Sequence, residues 1–488
     1  MTGDVKNDIK ILQYPRVEDF TAVTKESLVK TIQDNLDFRN KYLDNLNYYV
    51  GKNTRINEKR VVAKDNPDSR ISVSYARTMT QMVKGYMYKP GLVTYASEEN
   101  SYLNQLLEIF KQNNEELKTS ELGENQSKYG IGVELLYGDN KVVNGGTIPY
   151  FTVIKPEECI FIYNMEIEPT MIGCIRYYVV GEDSQKRERT YRVEVYFLDR
   201  VELYEMKESG FDLHNKGNFK ITQKLDSYPN WFDGIPFVLY INNQEYLADY
   251  EPVKTLIDAY DILVSDSVDE LNRFASAYLI LQNFILANAE DENEKSRALE
   301  KIKKNRLIEV DSDGNVSFLT RDIPSEFFKE VKQTLREDIE AHSHIPDFRD
   351  RSFESKSGEA MKWALFHFEN LAADKQSLFE RGLQERIRLI NSFLKKKEID
   401  TGNVYVRFQR NLPSNIDMLV GIAERLKALG LPEESWLEIL KSAELIDNVE
   451  DIISLMEEAK VKAQEEFQLN IDQDVKEEED DQQNIRPT

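Results

Sequence analysis

The residues best suited to chemistry in this chain are its few metal-binding side chains and its many acids, and their spacing argues against a site. His342 and His344 stand two apart, so on a helix they point to different sides and do not converge on one ion. Cys159 and Cys174 lie in apolar, strand-like runs with no CxxC or Cys/His spacing, which predicts buried thiols rather than a metal centre or a disulfide. Two-metal nuclease chemistry needs several carboxylates converging on ions ~3.5 to 4 Å apart. The chain holds 87 Asp and Glu, so none stands out, and Glu300, Glu337, Asp338 and Glu340 are expected on solvated helix faces. Gly51-Lys-Asn-Thr54 resembles the end of a phosphate-binding loop, but it lacks the earlier glycine and follows a helical run, so it reads as a helix end. Asp311-Ser-Asp-Gly314 starts like a calcium loop without the bidentate Glu, which makes it a hairpin turn. No catalytic set, metal or cofactor is expected. A metal-dependent DNA-processing enzyme is the alternative reading, and a helical scaffold that never touches DNA a third.

Lys329, Lys332 and Arg336 recur at three and four, a basic stripe in an acidic protein. It has two readings: pairing within the helix with Glu326, Glu330 and Glu340, or a face turned to DNA. Trp363 and the run Phe366 to Phe368 are expected in core or subunit packing rather than base stacking.

The elements that must position these residues are long helices. From Met361 the apolar residues fall at Leu365, Phe368, Leu371, Ala372, Phe379, Leu383, Ile387, Ile390 and Leu394, with no proline before Pro413. That is the spacing of an amphipathic helix, and about forty residues at ~1.5 Å rise predict a rod of about 60 Å. The same spacing predicts a second rod from Pro252 to Phe284 and a shorter helix from Ser325 to Ser343, bounded by Pro324 and Pro346.

Ahead of these rods, residues 1 to about 21 read as an arm. Helices are expected over Thr24–Val50, Ser74–Tyr86 and, as one or two, Tyr102–Lys128. An antiparallel sheet is expected from the β-branched and aromatic runs Val133–Tyr137, Tyr150–Ile154, Cys159–Tyr163, Cys174–Val180, Arg189–Phe197 and Arg200–Tyr204. Trp231–Ile241 closes this region. Between the rods lie an acidic helix near Glu290–Lys304 and a hairpin of Arg306–Val310 with Asn315–Thr320. Later come a strand at Asn403–Phe408 and helices Ile416–Leu429, Pro432–Ser442 and Val449–Phe467.

The net charge of -24 argues against a protein that grips DNA tightly, since such proteins neutralise phosphates with Lys and Arg. DNA, if involved, is cargo. Residues 465 to 481 place nine acids against Lys476, a solvated, disordered tail. No run approaches the ~18 to 20 apolar residues that span a bilayer, and the first residues carry no apolar signal region, so an intracellular protein is expected.

Ile345-Pro-Asp347, the polar loop to Lys356, Ser357-Gly358, Ala360, Lys362 and Glu369-Asn-Leu-Ala-Ala373 together resemble the bacteriophage portal proteins of the SPP1 type. The resemblance is best over Glu251–Leu394 and extends over most of the chain. It departs at Glu354-Ser-Lys356, where family loops are often richer in Gly, Asn and Ser.

The resemblance implies an α+β, mainly α portal fold with long stem and wing helices, an antiparallel sheet in the wing, a small α/β clip and a helical crown. Its implied divisions are wing 1–250, stem helix 251–284, clip 285–324, second stem helix 325–346, tunnel loop 347–357, long wing helix and strand 358–416, crown 417–470 and acidic tail 471–488. It implies a homo-oligomeric ring, usually of twelve subunits, at one capsid vertex, through which double-stranded DNA is packaged and ejected. Asp347, Arg349, Asp350, Arg351, Glu354 and Lys356 of the tunnel loop would face that DNA, with Lys329, Lys332 and Arg336 as candidate channel-facing stem residues. The implied partners are the terminase large subunit, a head-completion or adaptor protein, scaffold and major capsid protein, with no membrane. The implied locations are the portal vertex of the virion and the host cytoplasm during assembly.

Overall fold

The structure, a computed structural model, describes residues 14–58, 67–143, 146–210, 217–275, 278–282, 315–319, 325–346, 363, 365–395, 403–411, 416–442, 445–446 and 448–462. They belong to two compact units, Met1–Arg410 and Asn411–Thr488.

The first unit opens with helices. At the start of α1 (Lys25–Asp34), Thr24 Oγ1 accepts the Ser27 N–H at 3.1 Å and Ser27 Oγ accepts the Thr24 N–H at 2.9 Å, satisfying two amides that a helix start leaves over. The single helix expected from Thr24 to Val50 is broken at Asn35. Its side-chain amide donates to the Thr31 carbonyl at 2.8 Å, ending α1 before α2 (Leu36–Tyr49), because an asparagine that bonds nearby backbone competes with the helix. Gly51 follows at φ +80, the left-handed conformation that ends helices. Gly51-Lys-Asn-Thr54 is therefore a helix end, and Asn53 caps the short α3 (Thr54–Asn57). After α4 (Tyr75–Met87) come strand β1 (Val93–Ser97), α5 (Asn100–Gln112) and α6 (Glu115–Tyr129).

Where one sheet is expected, there are two. β2 (Ile131–Val143) lies between β3 (Gly146–Ile154) and β9 (Phe237–Ile241), while β4 (Cys159–Tyr163), β5 (Met171–Asp183), β6 (Glu188–Tyr196), β7 (Arg200–Ser209) and β8 (Asn218–Pro229) form a five-stranded meander. All the pairings are antiparallel. The break falls at the 3-10 turn Pro156–Glu158, where proline lacks the amide that a continuing ladder needs. One core lies between α1, the first residue of α2 and the large sheet, with Leu28, Ile32 and Leu36 against Ile160, Ile175 and Val193. A second joins the two sheets through Val133, Leu135 and Phe237 to Phe161, Cys174 and Tyr196.

Among the described residues of the rod expected from Pro252 to Phe284, a 3-10 turn at Glu251–Val253 leads into α7 (Lys254–Ala275). Tyr278–Gln282 is instead strand β10, paired antiparallel with β11 (Asn315–Leu319). A short apolar run gives no period that separates helix from strand, and here the ladder decides. Arg306–Val310, the partner expected for Asn315–Thr320, lies outside the described residues, as do Glu290–Lys304, Glu300 and Asp311-Ser-Asp-Gly314. Next come α8 (Ser325–Ser343), as expected, and α9 (Phe366–Phe393), the long helix. α9 holds 28 residues, about 42 Å at ~1.5 Å per residue, short of the forty expected. It ends because Lys395 takes a left-handed φ of +55. β12 (Val404–Phe408) pairs with β1, a strand that the sequence pattern does not announce.

In the second unit, α10 (Ile416–Ala428), α11 (Glu433–Ser442) and helical residues 449–462 answer to the three short helices expected there. Ala423, Trp436 and Leu437 form their core. Residues 1–13 of the arm and the acidic tail from 471 lie outside the described residues.

Candidate functional site

α9 organises the first unit. Phe368, Ala372, Phe379, Leu383, Ile387 and Ile390 are all at most 1% exposed, and the helix lies against β9 and the core beneath it. The approach at Gly382 is so close that an added Cβ would stand 2.6 Å from the Tyr240 ring, which only glycine allows. Leu371 is half-buried and joins the same core. The apolar face of the long helix is thus covered within one chain.

Two buried cations interrupt this face. Arg386, fully buried, forms a bidentate pair with Glu134 at 2.8 and 3.0 Å and donates to Glu115 Oε1 at 2.8 Å and Thr119 Oγ1 at 3.1 Å. Tyr240 donates to Glu134 at 2.9 Å and Tyr95 to Glu115 at 2.6 Å, while the guanidinium carbon sits 4.7 Å from the Phe151 ring centre. Burial alone would depress Arg386, but the charges of Glu134 and Glu115 outweigh it and hold the guanidinium well above its ordinary value. Lys375, 1% exposed, donates to both oxygens of Asp249, at 2.9 and 3.0 Å, and to Asn242. Here burial wins over Asp249, and the amine is pulled below its ordinary value. These cations pin α9 to α6, to β2 and to the segment after β9.

The sequence reasoning did not single out Lys375 or Arg386. The signal was present, for both continue the stripe Phe368, Ala372, Phe379, Leu383, Ile390 at three-and-four spacing. A charge inside an apolar stripe marks a buried partner.

The six tunnel-loop residues, Asp347, Arg349, Asp350, Arg351, Glu354 and Lys356, lie outside the described residues. The flanks of their segment are described. His344, at φ +59, stacks its ring on His367 with centroids 5.6 Å apart, so the chain leaves and returns at one place. Phe368 packs on Tyr86 at 4.7 Å, whereas Trp363 and Phe366 are 73% and 50% exposed in the single chain.

On α8, Lys329 pairs with Glu326 at 3.2 Å and Arg336 with Glu340 at 3.1 Å, both within the helix. Lys332 lies 5.8 Å from the Tyr260 ring of α7. Glu337 is exposed, and Asp338 and Glu340 are half-buried. Among the described residues no group of three or more His, Cys, Asp and Glu is placed to hold a metal ion. Cys159 and Cys174 are buried, free thiols on adjacent strands, and burial together with Cys159 pushes the Cys174 thiol well up. No helix among the described residues is long and apolar enough to cross a membrane.

What the residues build is a frame: two antiparallel sheets and a helical layer fixed to one long helix by buried ion pairs. Family comparison defines which frame. Residues 29–468 match the family described as phage portal protein, SPP1 Gp6-like, and the chain belongs to that family. The portal protein of Clostridium phage phiCD119 is 26% identical over 447 residues, covering 87% of this chain and 94% of that protein. The portal protein of Bacillus phage SPP1 is 24% identical over 315 residues, 64% of this chain and 59% of that protein. Among solved structures, a chain from the neck of an empty GTA particle, computed with C6 symmetry, matches at 11% identity with a TM-score of 0.44, covering 74% of this chain and 88% of that one.

Proposed function

We propose that this chain is a structural subunit of a phage portal: a homo-oligomeric ring, usually of twelve copies in this family, set at one vertex of the capsid as the channel for double-stranded DNA in packaging and ejection. The family match over residues 29–468 carries the reading. α7 and α8 would be the stem, β10 and β11 part of the clip, the two sheets and α9 the wing, and the helices after Asn411 the crown. The clip would dock the terminase large subunit and later a head-completion protein, with scaffold and major capsid protein around the wing. The exposed Trp363 and Phe366 suit contact with a neighbouring subunit. The stacking of His344 on His367 supports a loop that leaves and returns at one point on the channel wall.

In the segment from Asp347 to Lys356 three acids, Asp347, Asp350 and Glu354, are matched in number by three bases, Arg349, Arg351 and Lys356. A balanced ring suits passage, because added cations add phosphate contacts that retard the DNA. The double variant Asp350→Lys with Glu354→Lys is expected to leave rings and procapsids intact while slowing or aborting packaging, more severely at low salt where screening is weak. In vitro packaging across salt concentrations reads this out. Wild-type rate and yield at every salt concentration would contradict the electrostatic role of the loop.

A further inference from the structure

The loop that joins β4 to β5 is fastened at its base by two residues. The Asn164 N–H donates to the Thr170 carbonyl at 3.0 Å, the Thr170 N–H to Asn164 Oδ1 at 2.9 Å and Asn164 Nδ2 to Thr170 Oγ1 at 2.8 Å. Between them runs Met165-Glu-Ile-Glu-Pro169. Met165 is exposed, and Ile167, in the middle, is 102% exposed, as free of its own chain as a side chain can be. A single exposed apolar residue is ordinary on a protein surface. Two of them at alternate positions of a loop tied at both ends form an apolar knob whose ordering is complete before anything binds it, which lowers the entropy lost on contact.

A groove of about 680 Å³ lies elsewhere in the same unit, between β1 and the corner where α5 meets α6. That is within the ~300 to 1,000 Å³ of protein binding sites. Buried Val93 and Phe110, which belong to the core beneath α9, line it together with exposed Leu107 and Leu117. Charge complements shape. Glu166 and Glu168 are exposed on the loop, whereas Lys111 lines the groove and Arg407 stands beside it, opposite Thr94 in the ladder of β1 with β12. None of these four has an ion-pair partner among the described residues. Two acids also line the groove: Glu115 is spent on Arg386, and Glu116 leaves the exposed cations ahead by two to one.

We propose that the loop 165–169 of one copy of this chain seats Ile167 in the groove of β1, α5 and α6 on the next copy, with Glu166 and Glu168 toward Lys111 and Arg407. Knob and groove are different surfaces, so the contact is heterologous: each copy inserts a loop into one neighbour and receives a loop from the other. Repeated about an axis, such a contact closes into a ring and does not stop at a dimer. The proposal rests on the ring reading and gives that ring one specific contact.

Cross-linking of the full-length chain tests it. Ile167→Cys with Leu117→Cys puts one exposed thiol on the knob and one in the groove, while both native cysteines are buried. With a short bismaleimide the double variant is expected to give a ladder of covalent multimers on a denaturing gel, and each single variant no more multimer than wild type. Ile167→Asp is expected to raise the protein concentration needed for ring formation by about tenfold, as for the loss of an apolar anchor, and Ile167→Leu to leave it within about twofold. Rings in native mass spectrometry without a ladder from the double variant would overturn this contact and leave the portal reading standing. Linkage confined to one chain, or Ile167→Asp rings at the wild-type concentration, would overturn it as well. A chain that stays monomeric overturns both readings.

Discussion

Arg386→Met is expected to lower the unfolding free energy of the first unit by about 3 to 5 kcal/mol, the range for breaking a buried ion pair from one side. Methionine fills much of the volume between Phe151 and Tyr240, so packing is not what fails. What fails is the compensation of charge: Glu115 and Glu134, 5% and 0% exposed, would keep tyrosine and threonine hydroxyls but lose the cation bonded to both. Arg386→Lys keeps the charge and loses the fork that meets both oxygens of Glu134, so its loss should lie between wild type and methionine. Urea unfolding followed by circular dichroism ranks the three. A midpoint for Arg386→Met equal to wild type would show that α9 is held by its apolar face alone.

Lys375→Met should cost a comparable amount for the same reason, since it leaves Asp249 buried with the Asn242 side-chain amide and the Ser127 hydroxyl as its donors. The difference from Arg386 is that burial already pulls the Lys375 amine down, so the intact pair stands close to balance between attraction and desolvation. Removing both charges, as Lys375→Met with Asp249→Asn, is therefore expected to recover most of the loss, with a coupling of about 1 to 3 kcal/mol in the double-mutant cycle. Additive losses in the double variant would contradict a direct pair.

Much of the fold can be read from periodicity, and the misreadings have physical causes. α4, α8 and the helices after Asn411 follow their apolar spacing within a few residues. Asn35 splits a helix through a side-chain bond that spacing does not register. β8 escapes notice because it is an edge strand: its apolar alternation stops after Phe219 and Ile221, and Lys220, Lys224 and Asp226 are charges of the kind that protect an open edge. β1 is short and finds its partner more than three hundred residues away, beyond any local signal. The long helix was legible in kind, and its apolar face predicts a long partner. That partner is the chain's own sheet, and the pins at Lys375 and Arg386 show as charges within the stripe. The tunnel-loop assignment rests on the resemblance together with the segment's position between two helices.

The central claim is that this 56.9 kDa chain closes into a ring, and native mass spectrometry of the purified protein tests it most directly. The account predicts a single closed species near twelve times the subunit mass. A population that stays monomeric or dimeric at every concentration reached would contradict it.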